Sequence, residues 1–164
     1  MRLCQGGDSA VPDAWPSLGR GTAPMTPPPL APAVTADIAL HCDDELGRPM
    51  AFMATFAYDA DDPYAVQVTF HVPSGEVPWV VSRSLLTRGI CEPVGDGDIR
   101  LRPDVDDEGR AVVRMVFHSP EGRLRVDARV SELLSFLGRT WLTVRPGEEA
   151  VDVDGLVASL LPRP

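Results

Sequence analysis

From Val34 onward the chain reads in alternation. Val34, Ala36, Ile38, Leu40 and Cys42 take one phase and Thr35, Asp37, Ala39 and His41 the other, the period of a half-buried strand. Asp43-Asp44-Glu45-Leu46-Gly47 supplies a turn, and a second strand carries Met50, Phe52, Ala54, Phe56 and Tyr58 on one face. An acidic Asp/Pro turn, Asp59 to Pro63, leads into a third strand with Tyr64, Val66, Val68, Phe70 and Val72 in phase. Pro73-Ser74-Gly75 forms a tight turn, and a short return strand carries Trp79. The period then changes from 2 to 3.6 without a loop. That predicts a helix over Ser82 to Arg88, containing Arg83, Leu85 and Leu86 and stopped by Gly89.

The second half repeats the plan. Gly95-Asp96-Gly97-Asp98 is a turn into a strand with Ile99 and Leu101, and Pro103 to Gly109 is an acidic loop. Ala111, Val113, Met115 and Phe117 form the next apolar face, and Ser119-Pro120-Glu121-Gly122 is a hairpin turn to Leu124, Val126 and Ala128. A helix follows with Val130, Leu133, Leu134 and Leu137 at i, i+3, i+4 and i+7. A last helix has Asp152 or Asp154 to cap its N-terminus and a stripe of Val153, Leu156, Val157 and Leu160. The predicted fold class is α+β: seven antiparallel strands in two strand-to-helix repeats, plus a C-terminal helix.

Residues 1–32 read differently. They mix Gly, Pro, Ser and Ala, their charges cancel, and Pro27-Pro28-Pro29 feeds neither a helix nor a central strand. The expected organisation is a disordered Pro-rich N-terminal tail over 1–32 and one domain over 33–164, with Met25 as an alternative start. A Pro-rich segment can dock on an aromatic groove, but this one lacks flanking basic residues, and the inert reading is preferred.

Charge narrows the function classes. The net charge is -9, every basic residue is Arg, and 44% of the chain is hydrophobic. A negative surface repels phosphate backbones and anionic lipid, so nucleic acid and membrane are poor default partners. Cys4, Cys42 and Cys91 have no CxxC spacing, which favours reduced thiols, and no apolar run is long enough to span a bilayer. A cytoplasmic protein without membrane insertion is expected.

Candidate chemistry is thin. His41, His71 and His118 all fall on the polar phase of strands, and no GxSxG elbow accompanies them. His41 and Cys42 are adjacent, so on a strand they point to opposite faces and cannot share a metal. Asp59, Asp61 and Asp62 lack the spacing of a calcium loop, and Gly95-Asp96-Gly97-Asp98 sets carboxylates where a phosphate would sit. No catalytic residue, metal or cofactor is assigned. Arg100, Arg102, Arg123, Arg125 and Arg129 share polar phases, which leaves single-stranded nucleic-acid binding as the alternative; against it, aromatics are 6% of the chain and mostly core-facing. The expected interaction determinants sit at the first strand-to-helix corner: Trp79, Arg83, Ser84 and Leu86. Arg83 has the best claim among them, because a guanidinium binds carboxylates bidentately. The bland alternative buries the Trp and Leu side chains and leaves Arg83 in solvent.

A family is legible in these same stretches. Tyr58-Asp59-x-x-Asp62-Pro63-Tyr64-Ala65-Val66, Trp79-x-x-x-Arg83-x-Leu85-Leu86-x-x-Gly89 and Pro93-x-Gly95-x-Gly97-Asp98-Ile99-Arg100-Leu101-x-Pro103 resemble the signature of the SsgA-like sporulation and cell-division regulators of actinobacteria. Ser119-Pro120-Glu121-Gly122, Phe136-Leu137-x-Arg139-Thr140, Pro146-Gly147-Glu148 and Asp152-x-Asp154-x-x-Leu156 continue the match in order. The resemblance implies a whirly-like β-barrel with helices, assembled as a homotrimer. It further implies a non-catalytic adaptor at division septa, acting in septum-site selection, FtsZ recruitment or septal wall remodelling. FtsZ or another SsgA-like protein is the implied partner. Ser84 departs from the pattern, standing where an acidic residue commonly follows the motif Arg.

Overall fold

A computed structural model describes residues 34–44, 46–120 and 122–160, so the expected tail lies outside the described residues. Eight strands and three helices follow in chain order: β1 (Val34–Asp43), β2 (Pro49–Tyr58), β3 (Ala65–Val72), β4 (Gly75–Ser82), α1 (Arg83–Gly89), β5 (Val94–Asp96), β6 (Ile99–Val105), β7 (Ala111–Ser119), β8 (Gly122–Arg129), α2 (Val130–Thr143) and α3 (Val153–Leu160). The strands form one antiparallel sheet ordered β4-β3-β2-β1-β8-β7-β6-β5, with β1 and β8 joining the halves through Leu40 opposite Ala128. Each half runs four strands and then a helix, as the change of period predicts.

The sheet is curled. Phe70 on β3 and Phe117 on β7 are four strands apart in the sheet order, about 19 Å if the sheet were flat. Their ring centroids are 5.1 Å apart, and Trp79, one strand further out, also reaches Phe117 at 5.1 Å. Only a sheet rolled into a half-barrel brings these rings together. The inner face is the apolar phase of every long strand, and α1 and α2 cover it with Leu85, Leu86, Leu133, Phe136 and Leu137.

Several expectations are corrected. β5 is an additional three-residue strand, hidden in sequence by its two-residue turn at Gly97. Pro103 is not loop but strand: β5 pairs β6 only as far as Leu101, so beyond it β6 is a free edge that tolerates a missing amide donor. Gly89 closes α1 from within, with no left-handed φ; it is small because a β-carbon there would sit 2.6 Å from Leu101 Cβ. On α2 the buried stripe is Leu133, Phe136, Leu137 and Thr140, three residues on from the expected one, leaving Leu134 43% exposed. On α3, Asp152 caps through its Oδ1, which accepts from Gly155 N–H at 2.8 Å, but Val153 and Val157 are exposed because α1 and α2 already occupy the inner face. Cys91 is an exposed free thiol.

Candidate functional site

The corner between β4 and α1 is built by local rules. Ser82 has extended dihedrals and its Oγ accepts from Leu85 N–H at 3.4 Å, the geometry of an N-cap. Arg83 N–H donates to Tyr64 O at 2.8 Å, which ties the helix start to the beginning of β3. No acidic residue stands in the first turn of α1.

The Arg83 side chain then turns inward. The residue is 3% exposed, and its guanidinium carbon lies 5.0 Å from the centre of the Tyr58 ring. Nη1 donates to Val144 O at 2.8 Å, to Tyr58 Oη at 3.1 Å and to Thr140 O at 3.4 Å. Nη2 donates to Glu149 Oε1. Val144 is the C-cap of α2, where carbonyls lack helical partners, so one cation caps the end of one helix from the start of another; the Thr140 carbonyl also accepts from Val144 N–H at 2.9 Å. Burial pushes the Tyr58 phenol up, keeping it neutral and able to accept.

Glu149 is delivered by a turn. Glu148 N–H donates to Arg145 O at 3.0 Å around Pro146 and Gly147, and Gly147 has φ +88°. That is a type II turn, with Pro and Gly at the positions it requires. Gly147 N–H donates to Glu149 Oε2 at 2.6 Å, and Tyr64 Oη donates to Glu149 O at 3.2 Å. The Glu149 carboxyl is held below its ordinary range, first by its own backbone amide, then by Arg83 and by the Gly147 amide. A latch results, joining β2, β3, α1, α2 and the segment after α2.

Above the latch lies a shallow cleft of about 150 Å³, with Pro63, Tyr64, Trp141 and Pro146 as its apolar walls and Ser82, Ser84, Thr87 and Arg88 along the α1 side. Tyr64 is 55% exposed. The structure thus separates the four corner residues that the sequence grouped. Ser84 is exposed at the cleft, its Oγ 2.8 Å from Ser82 Oγ. Trp79 is half-buried against Phe117. Leu86 is fully buried, and Arg83 is an internal tie and not a solvated side chain. Sequence reading missed Tyr58, Thr140 and Glu149 as partners of Arg83. The available signal was that a cation inside a hydrophobic Trp-to-Leu stretch requires a carboxylate, and Glu149 follows a Pro-Gly turn able to return one.

Elsewhere the polar phases face outward as predicted. His41 and His118 are exposed, and His71 Nε2 lies 2.7 Å from Thr55 Oγ1. On the outer face Arg114 binds Asp127 bidentately at 2.8 and 2.7 Å and Asp104 at 2.6 Å, Arg102 pairs with Asp104, and Arg125 with Asp43, while Arg100 donates to the Gly97 and Ile99 carbonyls. Phe52, Phe56, Phe70, Phe117, Phe136 and Trp79 all pack inward, so they offer the outer face no stacking surface. Among the described residues no group of three or more His, Cys, Asp or Glu is placed to hold a metal, and no helix is long and apolar enough to cross a membrane.

Comparison with known proteins places this architecture. The family model described as "Streptomyces sporulation and cell division protein, SsgA" matches residues 52–149, from β2 through Glu149 of the latch. The sporulation-specific cell division protein SsgB of Thermobifida fusca is 36% identical over 132 residues, covering 79% of this chain and 95% of that protein. SsgB of Streptomyces coelicolor is 44% identical over 97 residues, 58% of this chain and 70% of its own length. A solved SsgA-like sporulation-specific cell division protein from Thermobifida fusca superposes with a TM-score of 0.69 at 33% identity, over 80% of this chain and all of that one. A structure from work on SsgB mutations that correlate to longitudinal cell division during sporulation of Streptomyces coelicolor gives 0.67 at 38% identity, over 71% of this chain and 91% of that one. With the family model, the relatives and the fold in agreement, this chain belongs to the SsgA family of sporulation and cell division proteins.

Proposed function

We propose that the protein is a non-catalytic regulator of sporulation-specific cell division, working as an oligomeric adaptor at division septa. The carrying observation is that relatives named as sporulation-specific cell division proteins align over nearly their whole length, so what they share with this chain is the entire domain. Septum-site selection, FtsZ recruitment and septal wall remodelling are the processes such an adaptor serves, with FtsZ or another SsgA-like protein as partner. A whirly-like trimer is the assembly proposed for it. Exposed Leu134, Leu142, Val153 and Val157 supply apolar surface of the kind self-association covers. Repeated display in an oligomer raises effective concentration, so each single contact with a partner can be weak.

At the corner, Arg83 and Leu86 set the shape from within and Ser84 offers the accessible contact. Light scattering of the purified protein, alone and mixed with FtsZ, tests the reading. A trimer whose mass grows on mixing is the expected result. A trimer indifferent to FtsZ moves the partner to another SsgA-like protein, and a monomer overturns the assembly mechanism.

A further inference from the structure

On the outer face of the second half-sheet, one row of side chains is closed on itself and the next is open. In the closed row Arg102 stands opposite Arg114 and Arg114 opposite Asp127, and with Asp104 the two guanidiniums and two carboxylates pair among themselves. One outward position nearer the β7–β8 hairpin, Arg100 and Arg125 stand on either side of Val116, and the next outward position on β8 is Arg123, opposite His118. Arg123 is exposed and makes no ion pair or hydrogen bond among the described residues. Arg125 pairs only with Asp43 among them, at 3.3 Å, with the two side chains 41% and 50% exposed. Arg100 gives its hydrogen bonds to the Gly97 and Ile99 carbonyls and none to a carboxylate. Asp98, at the margin on the β5–β6 turn, meets His118 through its carbonyl and pairs with none of the three arginines. Three guanidiniums thus meet one half-exposed carboxylate, on a chain whose net charge is -9.

Spacing defines what fits there. Alternate residues of a strand lie about 7 Å apart on one face, which separates Arg123 from Arg125, and Arg100 is two strand spacings, about 10 Å, from Arg125. An extended peptide with carboxylates at alternate positions has the same repeat. Two successive acids then fall over Arg123 and Arg125 while the residue between them points away, with Val116 and the arginine stems as the floor. A guanidinium takes a carboxylate through two parallel N–H donors, and Arg123 has all of its donors open. A nucleic acid fits less well. The core aromatics turn inward and leave this face no ring on which a base could stack, and a strand longer than the patch runs on over Asp43 and Asp127.

We propose that the outer face around Arg123, Arg125 and Arg100 is a docking surface for an extended acidic segment of a partner protein, one with carboxylates at alternate positions. Each contact is exposed and screened by salt, so a single copy of the surface binds weakly. Repeated in an oligomeric adaptor it gains by avidity, and only in that respect does it rest on the function proposed above.

Arginine side-chain NMR of the full chain tests the surface without any division protein present. The probe is a capped octapeptide alternating Glu and Ser, and the comparison peptide has the same composition with its glutamates in one block. With the alternating peptide, the Nε–Hε signals of Arg123, Arg125 and Arg100 are expected to shift saturably, and that of Arg145, an exposed arginine after α2, to stay in place. The block peptide should bind more weakly. Arg123→Gln should weaken binding about two- to fivefold, the size of one exposed pair, whereas Arg145→Gln, which removes the same charge elsewhere, should leave it unchanged. No saturable shift, an equal shift at Arg145, or equal binding of the two peptides overturns the proposal. So does oligothymidylate that shifts the same three signals at lower concentration, a result that makes this face a nucleic-acid surface. With neither FtsZ nor an SsgA-like protein in the sample, this proposal and the adaptor reading fail separately.

Discussion

Arg83 and Glu149 lie 66 positions apart in sequence and form an ion pair in which the guanidinium side chain is 4% exposed and the carboxylate side chain 17%. Because Nη1 of the same guanidinium also serves Tyr58, Thr140 and Val144, the pair is one edge of a network and not an isolated contact. Removing the cation takes the donor from the Val144 carbonyl and the Tyr58 phenol, while the Thr140 carbonyl keeps the Val144 amide. Arg83→Met is therefore expected to lower the unfolding free energy by about 3 kcal/mol, the scale of breaking a buried pair by removing one partner. Urea denaturation measures this. A loss under about 1 kcal/mol is what an exposed pair would show, and would refute the buried-network account.

How much of this was readable beforehand differs by residue. Strand phases were legible almost everywhere, because burial on one face imposes period two: Ile38, Leu40, Phe56, Phe70, Met115 and Val126 are all buried as their phase requires. Both strand-to-helix corners were legible for the same reason. The latch was not. Its members come from β2, α1, α2 and the turn after α2, and no local period relates Tyr58 to Glu149. The shift of the α2 stripe to Phe136 was equally out of reach, since Val130, Leu133, Leu134 and Leu137 satisfy helical spacing just as well. Which of two adequate stripes faces inward depends on the curl of the sheet, and that is a property of Phe70, Trp79 and Phe117 meeting across it.

Acid should release the loops and the latch together. Asp44 is held below its ordinary range first by the Arg48 amide and then by the Arg48 guanidinium; Asp106 is held the same way by Arg110. Asp104 owes its lowering first to the Val105 amide and then to Arg114, and Glu149 to its own amide and Arg83. Each folded value lies below the unfolded one. Their stabilisation is thus complete above the unfolded carboxylate values of about 4 and is lost as pH falls through the folded ones. From these groups, Tm should be level from pH 7 to about 5 and fall below about 4. Asp106→Asn should be less stable than the parent at pH 7, and the gap should narrow toward pH 3. A gap of constant size across that range would contradict the assignment.

Two glycines should respond to the same substitution with opposite signs. At Gly89 a β-carbon meets Leu101 Cβ at 2.6 Å, where α1 crosses β6, so Gly89→Ala is expected to cost about 1–3 kcal/mol through overpacking. At Gly138, inside α2, a β-carbon meets nothing within 4 Å, so Gly138→Ala is expected to gain roughly 0.5–1 kcal/mol by relieving glycine's entropic cost in a helix. Thermal melts of both variants decide it. Equal effects would mean that helix propensity and not the approach to Leu101 governs position 89.

Ser84 gives the sharpest test of what the corner is for. Its side chain is exposed and bonds only Ser82 Oγ among the described residues, so the fold has little stake in it. An acid there would sit in the first turn of α1, where no carboxylate now answers the helix dipole, and four residues before Arg88. Ser84→Asp should accordingly keep the fold and raise stability by up to about 0.5 kcal/mol, while turning a neutral hydroxyl at the cleft into a charge. Since affinity differences of a few kcal/mol suffice to switch between related partners, the substitution is expected to change which division proteins co-sediment with the chain. The readout is a parallel pull-down against FtsZ and the SsgA-like proteins of the same cell, with melting curves to show that the fold is intact. An unchanged partner set alongside an unchanged melt would remove Ser84 from the interaction surface and leave the corner as architecture alone.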